Sequence, residues 1–351
     1  MPLLPNRLPI IAAPMAGGPS TPALAAAVSE AGGMGFLAAG YLTPEAFDGQ
    51  LTSIEALTDQ PYGVNLFLPS PRTSDLTAVE AYRASLVPLA EQLGTAPGAP
   101  RWDDDALPDK LDVLVRHRPA VVSVTFDRPG VELCERLRRD TGALVAATVT
   151  STSEAALAVE DGVDLLAVQG AEAGGHRGVF RDDTSLVAGG PTVGVLDLLA
   201  EVAAVTTVPM IAAGGIASGA DIAAALDRGA VAAALGTAFV CCPESGAAAT
   251  YRQALLDAPY PETTFTRAFT GRPARALVNG FVRRRNDQAP ASYPEVHHVT
   301  RPIRVAAAAA GDADNLHLWA GARWRDVTEE PAAELVTRLA RELADARGQA
   351  L

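Results

Sequence analysis

Lysine is nearly missing from this 351-residue chain: Lys110 is the only one, although arginine is plentiful. Schiff-base chemistry and lysine–phosphate contacts therefore have a single candidate. It falls in what reads as an insertion between Trp102 and Arg116, which makes both unattractive. Cysteine is scarce as well. Cys134 and the adjacent pair Cys241-Cys242 lack metal-ligand spacing, so no metal site is expected, and an odd, sparse set suits a reducing compartment. Aromatic residues make up 5% of the chain, no basic patch alternates with them, and the net charge is -13. Nucleic acid and anionic membrane surfaces are poor partners for such a surface. No apolar run reaches the roughly 18 residues that a membrane span needs. The apolar run Leu8–Ala16 lacks a charged leader, is interrupted by prolines and ends in a glycine turn. It predicts a first strand rather than a signal peptide, and a cytoplasmic protein.

What the chain does have is 48% hydrophobic residues, enough for one large core, or a core with a smaller appendage. Short apolar runs recur at Pro9–Ala13, Gly35–Ala38, Tyr62–Leu66, Ala120–Thr125, Leu144–Thr148, Asp164–Val168, Pro209–Ala212 and Val231–Leu235. They are apolar almost throughout, as parallel strands buried on both faces must be. Alanine-rich helical segments separate them, among them Pro22–Ala31, Pro44–Thr58, Ser153–Asp161, Thr192–Val205 and Ser218–Arg228. Ser153 before Glu154 and Ser218 before Asp221 read as helix caps. Strict alternation of this kind predicts an α/β fold, a (β/α)8 TIM barrel, with a doubly wound open sheet as the alternative. After about Ala258 the texture changes: Pro259, Pro261, Pro273, Pro290, Pro294 and Pro302 break up the chain. Residues 1–258 are expected to form the barrel. Residues 259–351 are expected to form a mostly helical appendage over part of its rim, ending in an amphipathic helix, Pro331–Ala346. The run Arg283–Arg285 reads as a solvated face.

Ligands of such barrels gather at the carboxyl ends of the strands. The first strand is followed by Pro14-Met15-Ala16-Gly17-Gly18, and the third ends at Asn65. The sixth leads into Gln169-Gly170-Ala171-Glu172-Ala173-Gly174-Gly175-His176-Arg177-Gly178. Its glycines allow a close backbone approach, and His176 is the side chain best suited to proton transfer near neutrality; an ordinary glycine-rich turn is the plainer reading. Gly214-Gly215 and Gly236-Thr237 follow the last two strands, where backbone N–H groups cradle phosphate without lysine or metal; close helix–strand packing is the alternative. Asn65 and Gln169 could meet the polar edge of a flavin ring, or serve as a cap and a buried structural amide. Phosphate at one end and an amide-rich aromatic ring at the other describe FMN. Glu172 is a candidate to orient His176, with a salt bridge to Arg177 or a strand-end hydrogen bond as its other uses.

These motifs resemble the nitronate monooxygenases. Pro14–Gly18 followed by Leu24–Gly35 is similar to the first signature of that family, Pro61-Tyr62-Gly63-Val64-Asn65-Leu66-Phe67 to the second, and Gln169–Gly178 to the most diagnostic one. Ala212–Ile216, Gly236–Phe239, Thr266–Arg272, Thr300-Arg301-Pro302 and Leu318–Gly321 also match, so the likeness spans nearly the whole chain and is nearest to the first class. The resemblance implies an FMN enzyme that oxidises alkyl nitronates with O2 to a carbonyl compound and nitrite. Its partners would be those small molecules, and the protein a monomer or homodimer. It implies His176 as the catalytic histidine. It implies FMN contacts from Met15, Asn65, Gln169, Gly174, Gly215, Gly236 and Thr237, with Ala16, Gly17, Gly214, Ala234 and Leu235 beside them. Two departures stand out. Ala234 occupies a place where the family often has glutamine, and Ser123–Thr125 lacks the lysine of the related NADH:quinone reductases. A protonated His176 would hold a nitronate, whereas a neutral one would take a proton from a nitroalkane, and Arg301 is the candidate for a substrate carboxylate. Rival readings are an FMN enoyl-thioester reductase, a flavin-free sugar-phosphate isomerase or lyase, and a non-catalytic FMN-binding module.

Overall fold

The computed structural model describes residues 4–348. The outer ends of the two expected segments, 1–3 and 349–351, lie outside the described residues. Eight strands close a parallel barrel: β1 (Ile10–Ala12), β2 (Met34–Ala38), β3 (Gly63–Phe67), β4 (Val121–Thr125), β5 (Leu144–Val149), β6 (Leu165–Gln169), β8 (Met210–Ala213) and β9 (Ala230–Leu235). Pairing of β9 with β1, Ile11 opposite Ala234, completes the ring, so the (β/α)8 barrel is the fold and the open sheet is not.

Local chemistry sets the helix starts. Thr21 and Thr43 each stand before a proline at the first helical turn, and their hydroxyls accept from Leu24 N at 3.0 Å and Ala46 N at 3.2 Å. The helix Gly219–Asp227 opens with a capping box between Ser218 and Asp221. For the helix Thr152–Glu160 the cap is Ser151, whose hydroxyl accepts from Glu154 N, and not Ser153. Ser151-x-x-Glu154 places the acid where it can also accept from Thr150 N, at 2.7 Å.

Outward-facing strand residues and the inner faces of the helices make the main core, where Val64, Val122, Val145, Leu166 and Leu235 are buried. Inside the ring, Ile11, Met34, Phe36, Val121, Leu165 and Ile211 fill the lower layers. Above them the inward positions are small: Ala13, Ala38, Ser123, Ala146, Ala167, Ala213 and Ala234. That step from large to small side chains opens a cavity at the carboxyl end of the barrel.

A second sheet stands over that end. β7 (Gly175–His176) pairs antiparallel with β11 (Ala274–Leu277), which pairs with β10 (Thr263–Thr266). Beside it, a separate core joins the helix Leu76–Ser85, through Val79 and Tyr82, to Phe269, Phe281, Val296 and Ile303. The final helix, Ala332–Ala346, instead packs on Pro22–Glu30 and Gly219–Asp227, and its Leu335 and Leu339 enter the barrel core. Lys110 lies on the helix Leu107–His117, whose Leu111 and Leu114 also belong to the barrel core, so it is part of the barrel's own helical layer. Residues 68–106 are the true excursion. Arg283 and Arg284 are exposed, as a solvated face requires. No helix among the described residues is long and apolar enough to cross a membrane.

Candidate active site

The cavity measures about 640 Å³ and reaches from the strand ends of the barrel to the segments above them. His176 stands in its wall, and the loop carrying it is held from three directions. Gln169 Nε2 donates to the His176 carbonyl at 2.9 Å, and Gln169 Oε1 accepts from Gly178 N at 2.9 Å. Arg177 points away from the cavity, fully buried, and donates to the carbonyls of Gln169, Gly170 and Pro191. From above, β11 pairs Ala274 with His176, and Pro273 O accepts from Arg177 N at 2.8 Å. A Cβ on Gly174 would sit 2.5 Å from Gly321 N, so glycine is what lets these two segments touch. The glycine-rich stretch is therefore a pinned strand edge, not a free turn.

The imidazole itself has one polar partner, Thr270, whose Oγ1 is 2.9 Å from Nε2. Phe126, Tyr293 and Trp319 surround it, with ring centroids 5.5, 6.0 and 5.3 Å away. What surface it exposes lies on the cavity. Burial, then the charges of Arg272 and Arg304, push its pKa down to about 3, so the ring is neutral throughout the physiological range. Nδ1 has no hydrogen-bond partner among the described residues and is the nitrogen left for a ligand.

Packed against Ala173 and Glu172, Gly214 and Gly215 adopt φ of +96° and +71°, a left-handed path that L side chains rarely follow. The backbone N–H groups of Gly214, Gly215, Gly236 and Thr237 donate no hydrogen bond among the described residues. Four unused donors at one end of a cavity suit an anion. The helix after Gly215 is not the source of that field, because the Asp221 carboxylate already accepts from Ala217 N and Ser218 N at its start. Arg323 lines this end and pairs with Asp221 at 3.1 Å. Thr237 Oγ1 accepts from Gly321 N at 3.1 Å.

Of the residues singled out in the sequence, Met15, Ala16, Gly17, Asn65, Gln169, Gly174, His176, Gly214, Gly215, Ala234, Gly236 and Thr237 line this one cavity, and Leu235 does not. Leu235 is 1% exposed and faces the helical layer, because successive strand residues point to opposite faces. Asn65 Nδ2 donates to Ser123 Oγ at 2.9 Å and Thr125 Oγ1 at 3.0 Å. Both Gln169 amide atoms serve the His176 loop, so its structural use is established by geometry. Glu172 does not reach His176 and forms no ion pair with Arg177. It accepts from Val195 N at 3.1 and 3.3 Å, a helix-capping role. Arg301 lines the cavity on an exposed stretch of the helix Glu295–Ala309.

Sequence reasoning missed Thr270, Tyr41, Tyr293, His297, Arg304, His317 and Trp319. Tyr41 stands just past the end of β2, a strand end that was passed over, and the other six come from the proline-rich segment, where no strand-end rule applies. The pair His297-His298 beside Tyr293, on a chain with only five histidines, was the available signal.

The sequence profile of the family described as nitronate monooxygenase matches residues 4–342. The chain is 41% identical over 350 residues to the nitronate monooxygenase of Paraburkholderia phytofirmans, covering 98% of this chain and 94% of that one. It is 40% identical over 351 residues to that of Pseudomonas aeruginosa, covering 97% of each. Among solved structures it is similar to a nitroalkane oxidase from Streptomyces ansochromogenes, with TM-score 0.94, 48% identity and 98% of both chains covered. FabK from Thermotoga maritima follows at TM-score 0.77 and 27% identity, over 99% of this chain and 96% of that one. This chain belongs to the nitronate monooxygenase family.

Proposed function

We propose that the protein is an FMN-dependent monooxygenase that oxidises alkyl nitronates with O2 to a carbonyl compound and nitrite. Its family, and the nitroalkane oxidase it is similar to, make it an oxidoreductase of nitronates or nitroalkanes. The observation that carries the finer reading is His176: of the three neutral imidazoles that line the cavity, it is the one fixed on a strand edge, with Nδ1 left free.

FMN fits the residues present. The cavity volume lies within the usual ~300–1,000 Å³ of cofactor sites. Gly214, Gly215, Gly236 and Thr237 would hold the phosphate through their unused N–H groups. Met15, Ala16, Gly17, Asn65 and Gly174 would meet the ring system, with Ala234 leaving space beneath it. Bound there, FMN would supply the electron acceptor for substrate oxidation.

The protein's own part is positioning and proton placement. With a nitronate, the Thr270 hydroxyl donates to Nε2, which puts the ring proton on Nδ1 for donation to a nitro oxygen. With a neutral nitroalkane, the other tautomer leaves Nδ1 bare to take the α-proton. A ring with pKa near 3 is a weak base, so the nitronate is the better substrate. Phe126, Tyr293 and Trp319 keep bulk water from the ring. We assign the part of residues 259–351 that precedes the final helix, which contributes Thr270, Tyr293 and Trp319, as a substrate-side cap; the final helix, Ala332–Ala346, belongs with the barrel of residues 1–258.

The test is His176→Asn at unchanged FMN content, read as nitronate-dependent oxygen uptake. Loss of turnover by two orders of magnitude or more is expected, on the order of ~10²–10⁴ for general acid–base groups; wild-type turnover would end the proposal. An NAD(P)H reductase on the same barrel would instead consume nicotinamide with no nitronate present.

A further inference from the structure

One cation in the cavity wall has no anion to balance it. Arg304, on the helix Glu295–Ala309, is 7% exposed and lines the cavity. Its Nε donates to Thr300 Oγ1 at 3.1 Å, and its Nη2 donates to His297 Nδ1 at 3.2 Å and to the His297 carbonyl at 3.1 Å. All three acceptors are neutral. Among the described residues no carboxylate lies within ion-pair distance of the guanidinium, and Nη1 makes no hydrogen bond.

The other cations near the site lie outside the cavity wall, are paired, or are exposed. Arg272 is as buried, but it donates to Ser70 Oγ and to the carbonyls of Phe126 and Val179, and it lies 4.0 Å over the Phe126 ring. Arg323 pairs with Asp221 and Asp326. Arg301 is exposed, where water screens its charge. His297 and His317 share the chamber. Burial pushes both well below the ordinary histidine range, so they carry no charge. Arg304 also fixes His297, which accepts at Nδ1 and stacks on Tyr41 with centroids 4.0 Å apart. His317 Nδ1 is buried without a partner.

A desolvated guanidinium without a counter-ion is costly, and it persists most readily where a ligand brings the missing charge. His176 cannot bring a charge of its own. We propose that Arg304 is the substrate's counter-ion: its free Nη1 edge binds the planar O–N–O group of the nitronate, and so selects the anion over the neutral nitroalkane. The choice of nitronate rests on the reaction proposed above; the anion site does not. Nitrite presents the same O–N–O anion and serves as the probe.

The experiment titrates sodium nitrite into FMN-loaded protein by calorimetry. It also measures steady-state turnover of ethyl nitronate and of neutral nitroethane, for the wild type, Arg304→Gln and Arg304→Lys. A hydrogen bond to a charged group predicts that Arg304→Gln weakens nitrite binding by about 30-fold and raises KM for ethyl nitronate by a similar factor. Turnover of neutral nitroethane should not fall with it, since removing the charge of Arg304 relieves part of the push on His176, and Arg304→Lys should recover most of the nitrite affinity, since it keeps the charge. Unchanged nitrite affinity in Arg304→Gln overturns the proposal, as does an equal loss with both substrates. Should Arg304→Gln fail to fold, the wild type decides: nitrite that does not compete with ethyl nitronate overturns it. Nitrite bound through Arg304 in a protein that oxidises no nitronate would retain the anion site and sink the reaction instead.

Discussion

Replacing Thr270 by valine tests how His176 is positioned without touching the histidine. The two side chains have nearly the same shape, and Thr270 is 1% exposed, so the change exchanges one buried hydroxyl for a methyl group. The main lost contact is the 2.9 Å hydrogen bond to Nε2, beside longer ones to Arg272 O at 3.3 Å and from Arg272 N at 3.4 Å. A neutral hydrogen bond contributes about 1 kcal/mol net, and leaving its buried partner unpaired raises the cost to about 1–3 kcal/mol. If that cost is felt in the orientation and tautomer of the ring, kcat/KM falls about 10- to 100-fold, at ~1.4 kcal/mol per decade. FMN content should not change, because the hydrogen-bond partners of Thr270 are His176 and Arg272 and none of the residues with unused N–H donors is among them. Thr270→Ser restores the hydroxyl and should return the rate to within about five-fold, the residue of a lost methyl contact of ~1 kcal/mol. Oxygen uptake with a nitronate, flavin released on denaturation, and a thermal melt together separate these effects. Wild-type turnover in Thr270→Val, or a loss matched by lost flavin, would refute the reasoning.

Three further outcomes follow from the same geometry. Gly215→Val imposes a branched side chain at φ +71°, 3.1 Å from the Glu172 Cβ; the variant should purify with little FMN, as absorbance after denaturation will show. Lys110→Met leaves the half-buried Asp105 without its ion-pair partner at 2.7 Å, though still accepting from Tyr41 N, and should cost about 1–3 kcal/mol in a denaturant melt. One part of the pH dependence of stability comes from His176, whose folded pKa near 3 lies far below its ordinary 6.5; His297 and His317, also pushed down by burial, add to it in the same sense. Above pH 6.5 both folded and unfolded rings are neutral and the term is constant. Below it only the unfolded chain takes the proton, so stability falls from pH 6.5 towards 3, and His176→Asn should flatten that slope in thermal melts.

The barrel was legible because parallel strands buried on both faces are continuously apolar. Each of the eight expected runs lies within one residue of a strand end in the structure. Position along such a strand also located residues that line the cavity, and it failed at Leu235 because alternate residues face opposite ways. The second sheet was not legible. β7 is two residues long, and its partner β11 is about a hundred positions away, beyond any local period. For the same reason Thr270 and Arg304 left no signal: each acquires its role only when a distant segment is laid across the barrel mouth. Glu172 was a candidate partner through its proximity in sequence to His176, whereas its carboxylate is taken by Val195 N, a partner more than twenty residues away.

The account stands or falls on whether this cavity holds a flavin whose reduction by substrate needs His176. The direct measurement is anaerobic addition of ethyl nitronate to the purified protein, followed through the visible flavin absorbance, for the wild type and His176→Asn side by side. The account predicts yellow protein with bound FMN that bleaches rapidly in the wild type and at least a hundred-fold more slowly in the variant, within the ~10²–10⁴ attributed to such groups. A colourless protein, or flavin that bleaches equally fast without the imidazole, would contradict it.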